Sequence, residues 1–93
     1  MPLRFAWDAR KAQANSRKHG VSFAVAATAF EDPLSITVPD PNHSVDEQRF
    51  ILIGRSRQQR IVVVAHVERD DTIRIISARS ASRRERIVYE EGE

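Results

Sequence analysis

The stretch Ile61-Val62-Val63-Val64-Ala65-His66-Val67 decides the fold, because it is apolar at almost every position. A strand that is apolar on both faces needs cover on both faces, so this segment is expected at the centre of a sheet. Its one polar side chain, His66, is then expected to be a core residue whose hydrogen bonds are satisfied. The polar run over 68–71 is expected to turn the chain back into a further strand over 72–77.

The residues before this stretch predict three more strands, over 3–7, 36–38 and 50–53. Leu3, Phe5 and Trp7 alternate with other residues, so they are expected to share the buried face of the opening strand. The alternative for Trp7 is an exposed ring that stacks on a nucleic-acid base. The last of the three strands is expected to end at Gly54. The polar segment 55–60 then forms a hairpin connection to the central strand.

Capping residues predict three helices, one over 9–18, one between Ser22 and the stop at 31–33, and one over 82–91. Asp8 is a favourable N-cap for the first helix, and Gly20 can adopt the left-handed conformation that ends it. The pattern Ser82-x-x-Glu85 is a capping box, which marks Ser82 as the N-cap of the last helix.

The order of elements is therefore strand, two helices, four strands and a closing helix. Helices and strands that are segregated along the chain indicate an α+β fold. We expect a mostly antiparallel twisted sheet with two N-terminal helices and one C-terminal helix, in a single domain over residues 1–93. The turn-rich segment 39–48, which includes His43, is expected to be mobile.

The composition is that of an ordinary globular protein. Of the 93 residues, 41% are hydrophobic and 30% are charged, which is typical of a soluble single domain. No apolar run is long enough for a membrane span or a signal peptide, so a cytoplasmic location is expected and a membrane partner is not. The absence of cysteine excludes disulfides and thiolate chemistry.

The charge is unevenly distributed. The formal net charge is only +2, but residues 49–93 hold ten arginines against seven acidic residues. Arginine can bind phosphate oxygens two at a time, which a lysine ammonium cannot do. Genomic base composition is an alternative explanation for a high arginine content. The excess of arginine is therefore consistent with an anionic partner but does not establish one.

Four arginines crowd the junction between the last strand and the last helix, at positions 79, 83, 84 and 86. Each arginine in the first turn of a helix is disfavoured by about 0.3–1 kcal/mol, because the N-terminal end of the helix dipole is positive. Two interpretations follow. The junction is either a phosphate-binding site, or a solvated surface whose charge is balanced by Glu85, Glu90 and Glu91.

The sequence resembles the BrnT family of toxins from bacterial type II toxin–antitoxin systems over nearly its whole length. The resemblance rests on four blocks: Phe5-x-Trp7-Asp8, then Lys11-x-x-x-Asn15-x-x-Lys18-His19-Gly20-Val21-x-Phe23, then Glu47-x-Arg49 with Gly54, and finally Ile75-Ile76-Ser77-Ala78-Arg79 followed by Ser82-Arg83-x-Glu85-Arg86. Each block alone is weak, but the four together are specific.

The resemblance implies a compact RelE-like ribonuclease that cleaves RNA, either free or on the ribosome, and so inhibits translation. It also implies neutralisation by a cognate BrnA-like antitoxin. Any contact with operator DNA is expected to occur through that antitoxin. The alternative is a non-catalytic adaptor that uses the same arginine-rich surface only to bind a nucleic acid or a partner protein.

Metal-independent RNA cleavage needs a base, an acid and cations that stabilise the phosphorane, while the substrate supplies its 2′-hydroxyl as the nucleophile. Arg79 and Arg83 are the foremost catalytic candidates, because a strand end and a helix start could direct both at one phosphate. A salt bridge at the strand end is the alternative role of Arg79. Arg49, Arg84 and Arg86 are assigned to RNA binding.

Three further residues complete the predicted catalytic set. His19 lies at a helix C-terminus, which favours its protonated form, so it could act as an acid beside Lys18; a structural cap is the alternative. Glu47 could be the general base, or it could pair with Arg49 on the same face of a strand. The histidines have no metal-ligand spacing, so neither a metal nor another cofactor is expected.

Overall fold

A computed structural model describes residues 3–40 and 47–92 of the chain. The elements, in chain order, are β1 (Arg4–Ala6), α1 (Ala9–His19), α2 (Phe23–Thr28) with a 3₁₀ turn (Ala29–Glu31), β2 (Ile36–Pro39), β3 (Arg49–Arg55), β4 (Ile61–Arg69), β5 (Thr72–Ser80) and α3 (Arg83–Glu91). His43 and most of the segment that was predicted to be mobile lie outside the described residues.

The five strands form one mixed sheet in the order β1-β5-β4-β3-β2. β1 is parallel to β5, and the other three pairs are antiparallel. The predicted α+β class is confirmed, and β4 is the central strand as its sequence indicated. His66 is completely buried, and its ring nitrogens lie 3.3 Å from the Val64 carbonyl oxygen and 3.0 Å from a Glu68 carboxylate oxygen.

The hydrophobic core lies between one face of the sheet and the N-terminal helices. Val21, Phe23, Ala26 and Ala29 from the helical segment pack against buried side chains of β3, β4 and β5. The small alanines let the helices approach the sheet closely. The opposite face of the sheet is not covered by α1 or α2, and we call it the open face.

The predicted caps are confirmed. The Asp8 carboxylate accepts bonds from the backbone N–H groups of Arg10 and Lys11, and Gly20 ends α1 with φ +70°. The Ser82 side chain accepts from the backbone of Glu85 while the Glu85 carboxylate accepts from the backbone of Ser82, which completes the capping box.

Two predictions about the strands are wrong. β3 continues past Gly54 to Arg55, and Gly54 is required because an added Cβ would lie 2.9 Å from the Ala29 carbonyl oxygen. The opening strand does not bury Leu3 and Trp7, which are 49% and 40% exposed. Trp7 only meets the ring of Phe23 edge-on, with centroids 6.0 Å apart, because β1 is a short edge strand.

A β-bulge in β5 determines which side chains reach the open face. Ser77 pairs with Ala65 and Ile75 pairs with His66, so Ile76 is an extra residue between them. Odd-numbered residues such as Ile75 face the core before the bulge, and the even-numbered Ala78 faces it after the bulge. Bulges re-aim side chains in this way. Ser77 and Arg79 therefore project from the open face, where strict alternation from Ile75 would have buried them.

Asn15 fixes α1 against the end of β5. Its side-chain amide donates to the carbonyl oxygens of Val21 at 3.0 Å and Ala78 at 2.8 Å, and its side-chain oxygen accepts from the Ala78 N–H at 3.1 Å. Asn15 is buried, with 8% of its surface exposed.

Among the described residues, no helix combines the length and apolar character that crossing a bilayer requires.

Candidate functional site

A cavity of about 310 Å³ lies on the open face of the sheet. Its lining comes from β3, β4, β5 and the end of β2: Asp40, Arg49, Ile51, Val63, Ala65, Ile76, Ser77 and Arg79. The apolar side chains of the lining come from β3, β4 and β5, and its polar side chains are Asp40, Arg49, Ser77 and Arg79. We call this the site cavity.

Arg49 and Arg79 reach the site cavity from different strands. In the sheet, Arg49 pairs with Val67 and Arg79 pairs with Val63, and both of those partners belong to β4. Arg49 is half-buried, yet its side chain forms no hydrogen bond or ion pair with the described residues. A partly desolvated guanidinium without a carboxylate favours an anionic ligand.

Arg79 is held by Glu85 from the first turn of α3. Its two terminal nitrogens donate to the two carboxylate oxygens of Glu85, each at 2.8 Å, and Nη1 also lies 3.4 Å from the Ser80 carbonyl oxygen. The predicted alternative, a salt bridge at the strand end, is what the structure contains. The Arg79 side chain nevertheless remains 45% exposed.

The bond pattern leaves one edge of the Arg79 guanidinium available. Glu85 occupies one N–H of each terminal nitrogen, and the Ser80 carbonyl is next to Nη1. The Nε–H and the second Nη2–H lie side by side on the remaining edge, and guanidinium edges of this kind bind phosphate oxygens in pairs. Arg79 can therefore contact a phosphate without releasing Glu85.

Hydrogen bonds from Arg79, together with those from Ser82, lower the pKa of Glu85 from 4.5 to about 2 against the effect of burial. The same pair raises the pKa of Arg79. A carboxyl group whose pKa is lowered by folding stabilises the fold above its unfolded pKa, and that contribution is lost as the pH falls toward the folded pKa.

We therefore expect Glu85→Gln to lower the free energy of unfolding by about 1–2 kcal/mol at pH 7, a value that allows for screening at the half-exposed Arg79. The glutamine still accepts the Ser82 N–H bond, so the capping box is kept. The difference from wild type should shrink between pH 4.5 and about 2, as urea unfolding at several pH values would show. Glu91→Gln, an exposed position on the same helix, is the control; a pH-independent difference at position 85 would contradict the assignment.

The other arginines of the junction are not gathered at the site cavity. Arg83, Arg84 and Arg86 lie in the first turn of α3 and are exposed. The structure combines parts of both interpretations of this junction. Glu85 forms an ion pair with Arg79, whereas the three arginines of α3 have no ion pair within the described residues. A catalytic role of Arg83 stays a prediction.

Lys18 and His19 lie in the last turn of α1, on the helix-covered side of the sheet. That turn is fixed through Asn15 to Ala78, a core residue, whereas Arg79 projects from the opposite face. Among the described residues, the lining of the site cavity includes neither Lys18 nor His19. A catalytic role of Lys18 and His19 stays a prediction.

Glu47 does not pair with Arg49, so that prediction is wrong. Its carboxylate oxygens lie 4.0 Å from Arg69 and 4.0 Å from Arg74, at the end of the sheet where β4 turns into β5. The reason is the sheet register, which places Arg74 and Arg49 on either side of Val67. Glu47 remains on the rim of the open face, beyond the site cavity.

Tyr89 anchors α3 to the rest of the fold. Its hydroxyl donates to the Asp32 carboxylate, and the Arg55 guanidinium lies 5.7 Å from the centre of its ring. Burial raises the pKa of Asp32, but hydrogen bonds from Tyr89 and from the backbone of Arg55 and Leu34 outweigh it, so the pKa is lowered. No local sequence pattern predicts this contact, because it joins residues that are far apart in the chain.

Sequence reasoning also missed Asp40 as a site residue. It was assigned only to a turn-rich segment, yet it is buried and lines the site cavity. An acidic residue two positions after the strand predicted over 36–38, with Pro39 between them, was the available signal. Within residues 3–40 and 47–92, no three acidic or histidine side chains are grouped so that they could hold a metal ion.

Comparison with known proteins identifies a family that this chain matches in sequence and in structure. The model of the family described as "Ribonuclease toxin, BrnT, of type II toxin-antitoxin system" matches residues 7–85. Among solved structures, the crystal structure of the Brucella abortus ribonuclease toxin BrnT superimposes with a TM-score of 0.69 and 31% sequence identity, covering 88% of this chain and 100% of that chain. A comparison with curated proteins gave no match.

Proposed function

Because this chain belongs to the BrnT family of ribonuclease toxins from type II toxin–antitoxin systems, we propose that it is a RelE-like endoribonuclease that cleaves RNA without a metal ion and thereby inhibits translation. The observation that carries the proposal is the site cavity on the open face of the sheet, which both Arg49 and Arg79 line. Two guanidinium groups beside one cavity suit a phosphodiester that gains negative charge during cleavage.

In the proposed reaction, the 2′-hydroxyl of the RNA loses its proton to a base and attacks the adjacent phosphorus, and the 5′-oxygen of the next nucleotide leaves and takes a proton from water. The free edge of Arg79 binds the non-bridging oxygens of the phosphorane, and Arg49 neutralises the charge from β3. Preorganised cations stabilise such a transition state because they need no rearrangement when charge develops. The products carry a 2′,3′-cyclic phosphate and a 5′-hydroxyl.

In this proposal, one of two carboxylates accepts the proton of the 2′-hydroxyl. Asp40 lines the site cavity, and Glu47, the base predicted from sequence, lies on the rim of the same face. In this proposal Ser77, which also lines the cavity, orients the ribose through its hydroxyl group. If Lys18 and His19 take part, the RNA has to extend beyond the site cavity, whose lining includes neither residue.

The test is RNA cleavage by the purified protein in the presence of EDTA. We expect fragments that end in 2′,3′-cyclic phosphates, and no such fragments from an Arg49→Ala/Arg79→Ala double variant that is purified in parallel to exclude contaminating nucleases. RNA that is bound but remains intact would support the non-catalytic adaptor instead. Fragments with 3′-hydroxyl ends, formed only with added metal, would contradict the mechanism.

The proposed partner is a BrnA-like antitoxin whose acidic side chains contact the arginines of the open face, with operator DNA bound only by the antitoxin. Opposite charges on the two surfaces would give fast and specific association. Expression of the chain alone is expected to arrest growth, and co-expression of the neighbouring reading frame is expected to restore it.

A further inference from the structure

A second cavity lies between the β3–β4 hairpin and α3, with a volume of about 470 Å³. We call it the hairpin–helix cleft. Its polar lining comes mainly from Arg55, Gln59, Arg60, Ser80, Arg86 and Glu90. Neither the family match nor the proposed cleavage chemistry assigns a role to this cleft.

The charge of the hairpin–helix cleft is incompletely neutralised. Arg60 donates from Nη1 to the Gly20 carbonyl oxygen at 3.0 Å, which holds the side chain but leaves its charge unpaired. Arg86 has no hydrogen bond or ion pair from its side chain within the described part of the chain. Glu90 is the acidic side chain of the lining, and it lies more than 4.0 Å from every described arginine nitrogen.

Arg55 lies at the base of the cleft beside Tyr89 and Asp32. Its guanidinium lies 5.7 Å from the centre of the Tyr89 ring, and its charge helps to lower the pKa of Asp32. The charge of Arg55 is thus partly balanced by Asp32, and the unpaired positive charge of the cleft comes from Arg60 and Arg86. These two arginines reach the same open volume from the hairpin and from α3.

The cleft is adjacent to the site cavity. Ile61 lines the cleft and Val63 lines the site cavity, and both belong to β4. Residues two apart on a strand share a face and lie about 7 Å from each other. A single strand of RNA in the site cavity can thus continue directly into the cleft.

We propose that the hairpin–helix cleft binds phosphodiester groups of the same RNA strand, on the side next to the cleaved bond. This inference rests on the proposed function, because it extends the substrate beyond the site cavity. An acidic peptide is a poorer occupant, since the large apolar residue of the lining, Ile61, is itself only 8% exposed and offers little area to an apolar side chain. The backbone of RNA needs only cationic donors.

The test measures binding separately from cleavage. The probe is a fluorescent 2′-O-methyl oligonucleotide, which cannot be cleaved because its 2′-hydroxyl is blocked, and the readout is anisotropy over a range of salt concentrations. We expect Arg60→Ala and Arg86→Ala each to raise Kd by about 10-fold. Each should also reduce the slope of log Kd against log salt by about 0.7, which is the value for one phosphate contact on a single strand.

Arg10→Ala is the matched control, because it removes the same charge from an exposed position on α1. Equal losses at positions 10 and 86 would overturn the proposal, since they would show a general charge effect. Unchanged Kd at positions 60 and 86 would also overturn it, while cleavage by the wild-type protein would show that the proposed function still holds. Binding that depends on the cleft without any cleavage would support the cleft and contradict the ribonuclease activity.

Arg60→Ala removes a bond to Gly20 and could weaken the fold, so Arg86→Gln is the second variant. Arg86 is exposed on α3 and makes no described contact that stabilises the protein. The KM for cleavage of ordinary RNA should rise in parallel with Kd for each cleft variant. A lower kcat with unchanged KM would contradict a role in substrate binding.

Discussion

Arg79→Ala is expected to lower kcat for RNA cleavage by about 10²–10³-fold, with a much smaller effect on KM. The reason is that Arg79 contacts the phosphate through the edge that Glu85 leaves free, so its contribution grows as negative charge develops in the transition state. Arg79→Lys should restore little activity, because an ammonium cannot keep the paired bonds to Glu85 and also bind the phosphate. Single-turnover cleavage of a defined RNA measures both variants.

Arg57→Ala is the matched control for this prediction. Arg57 forms an exposed ion pair with Glu31 at 3.2 Å, so the variant also breaks an arginine–glutamate pair, but away from the site cavity. Its kcat should stay within about twofold of wild type, as expected for a surface pair. If Arg79→Ala retains wild-type kcat while its RNA binding falls, Arg79 serves affinity alone and the catalytic assignment is wrong.

Asn15→Leu is expected to lower the free energy of unfolding by about 3–5 kcal/mol, the largest stability change that we predict. The leucine has a similar size but leaves three backbone groups without partners, namely the Val21 carbonyl and both the N–H and the carbonyl of Ala78. A buried polar group without a partner costs more than the net energy of the bond that it lost. Urea denaturation followed by circular dichroism measures this change.

Gln13→Leu, at an exposed position on the same helix, is the control and should change stability by less than about 0.5 kcal/mol. Asn15→Asp separates the two functions of the side chain, because it keeps an acceptor for the Ala78 N–H and loses the two donors. A small effect of both Asn15 variants would show that α1 is held by apolar packing alone.

Much of the fold could be predicted because local signals agreed with the long-range arrangement. Asp8, Gly20 and Ser82 cap their helices as predicted, since capping depends on atoms within a few residues. The apolar run of β4 predicted its central position, because a strand with two apolar faces is stable only between neighbours. Arg79 and Arg49 were named as site candidates from the sequence, and both line the site cavity, while their roles stay predictions.

The rest depended on contacts that no local pattern contains. The site cavity is lined by Arg79 and Arg49, which come from the two strands that flank β4, and Arg83 is not part of that lining. The pairing of Glu47 with Arg74 follows from the register of three strands. The exposure of Trp7 follows from the short parallel edge strand, which alternation alone does not reveal.

The extra residue at Ile76 determines which way the side chains after it face. Deleting Ile76 would leave Ile75 and Ala78 two positions apart on a regular strand, so both would still face the core and Arg79 would still project from the open face. Regular pairing with all five residues of 75–79 present would instead turn the guanidinium of Arg79 into the core and expose the methyl group of Ala78. Homologues that share this architecture should therefore differ in length over 75–79 only by the residue at position 76, and other changes of chain length are expected where no side chain has to switch faces.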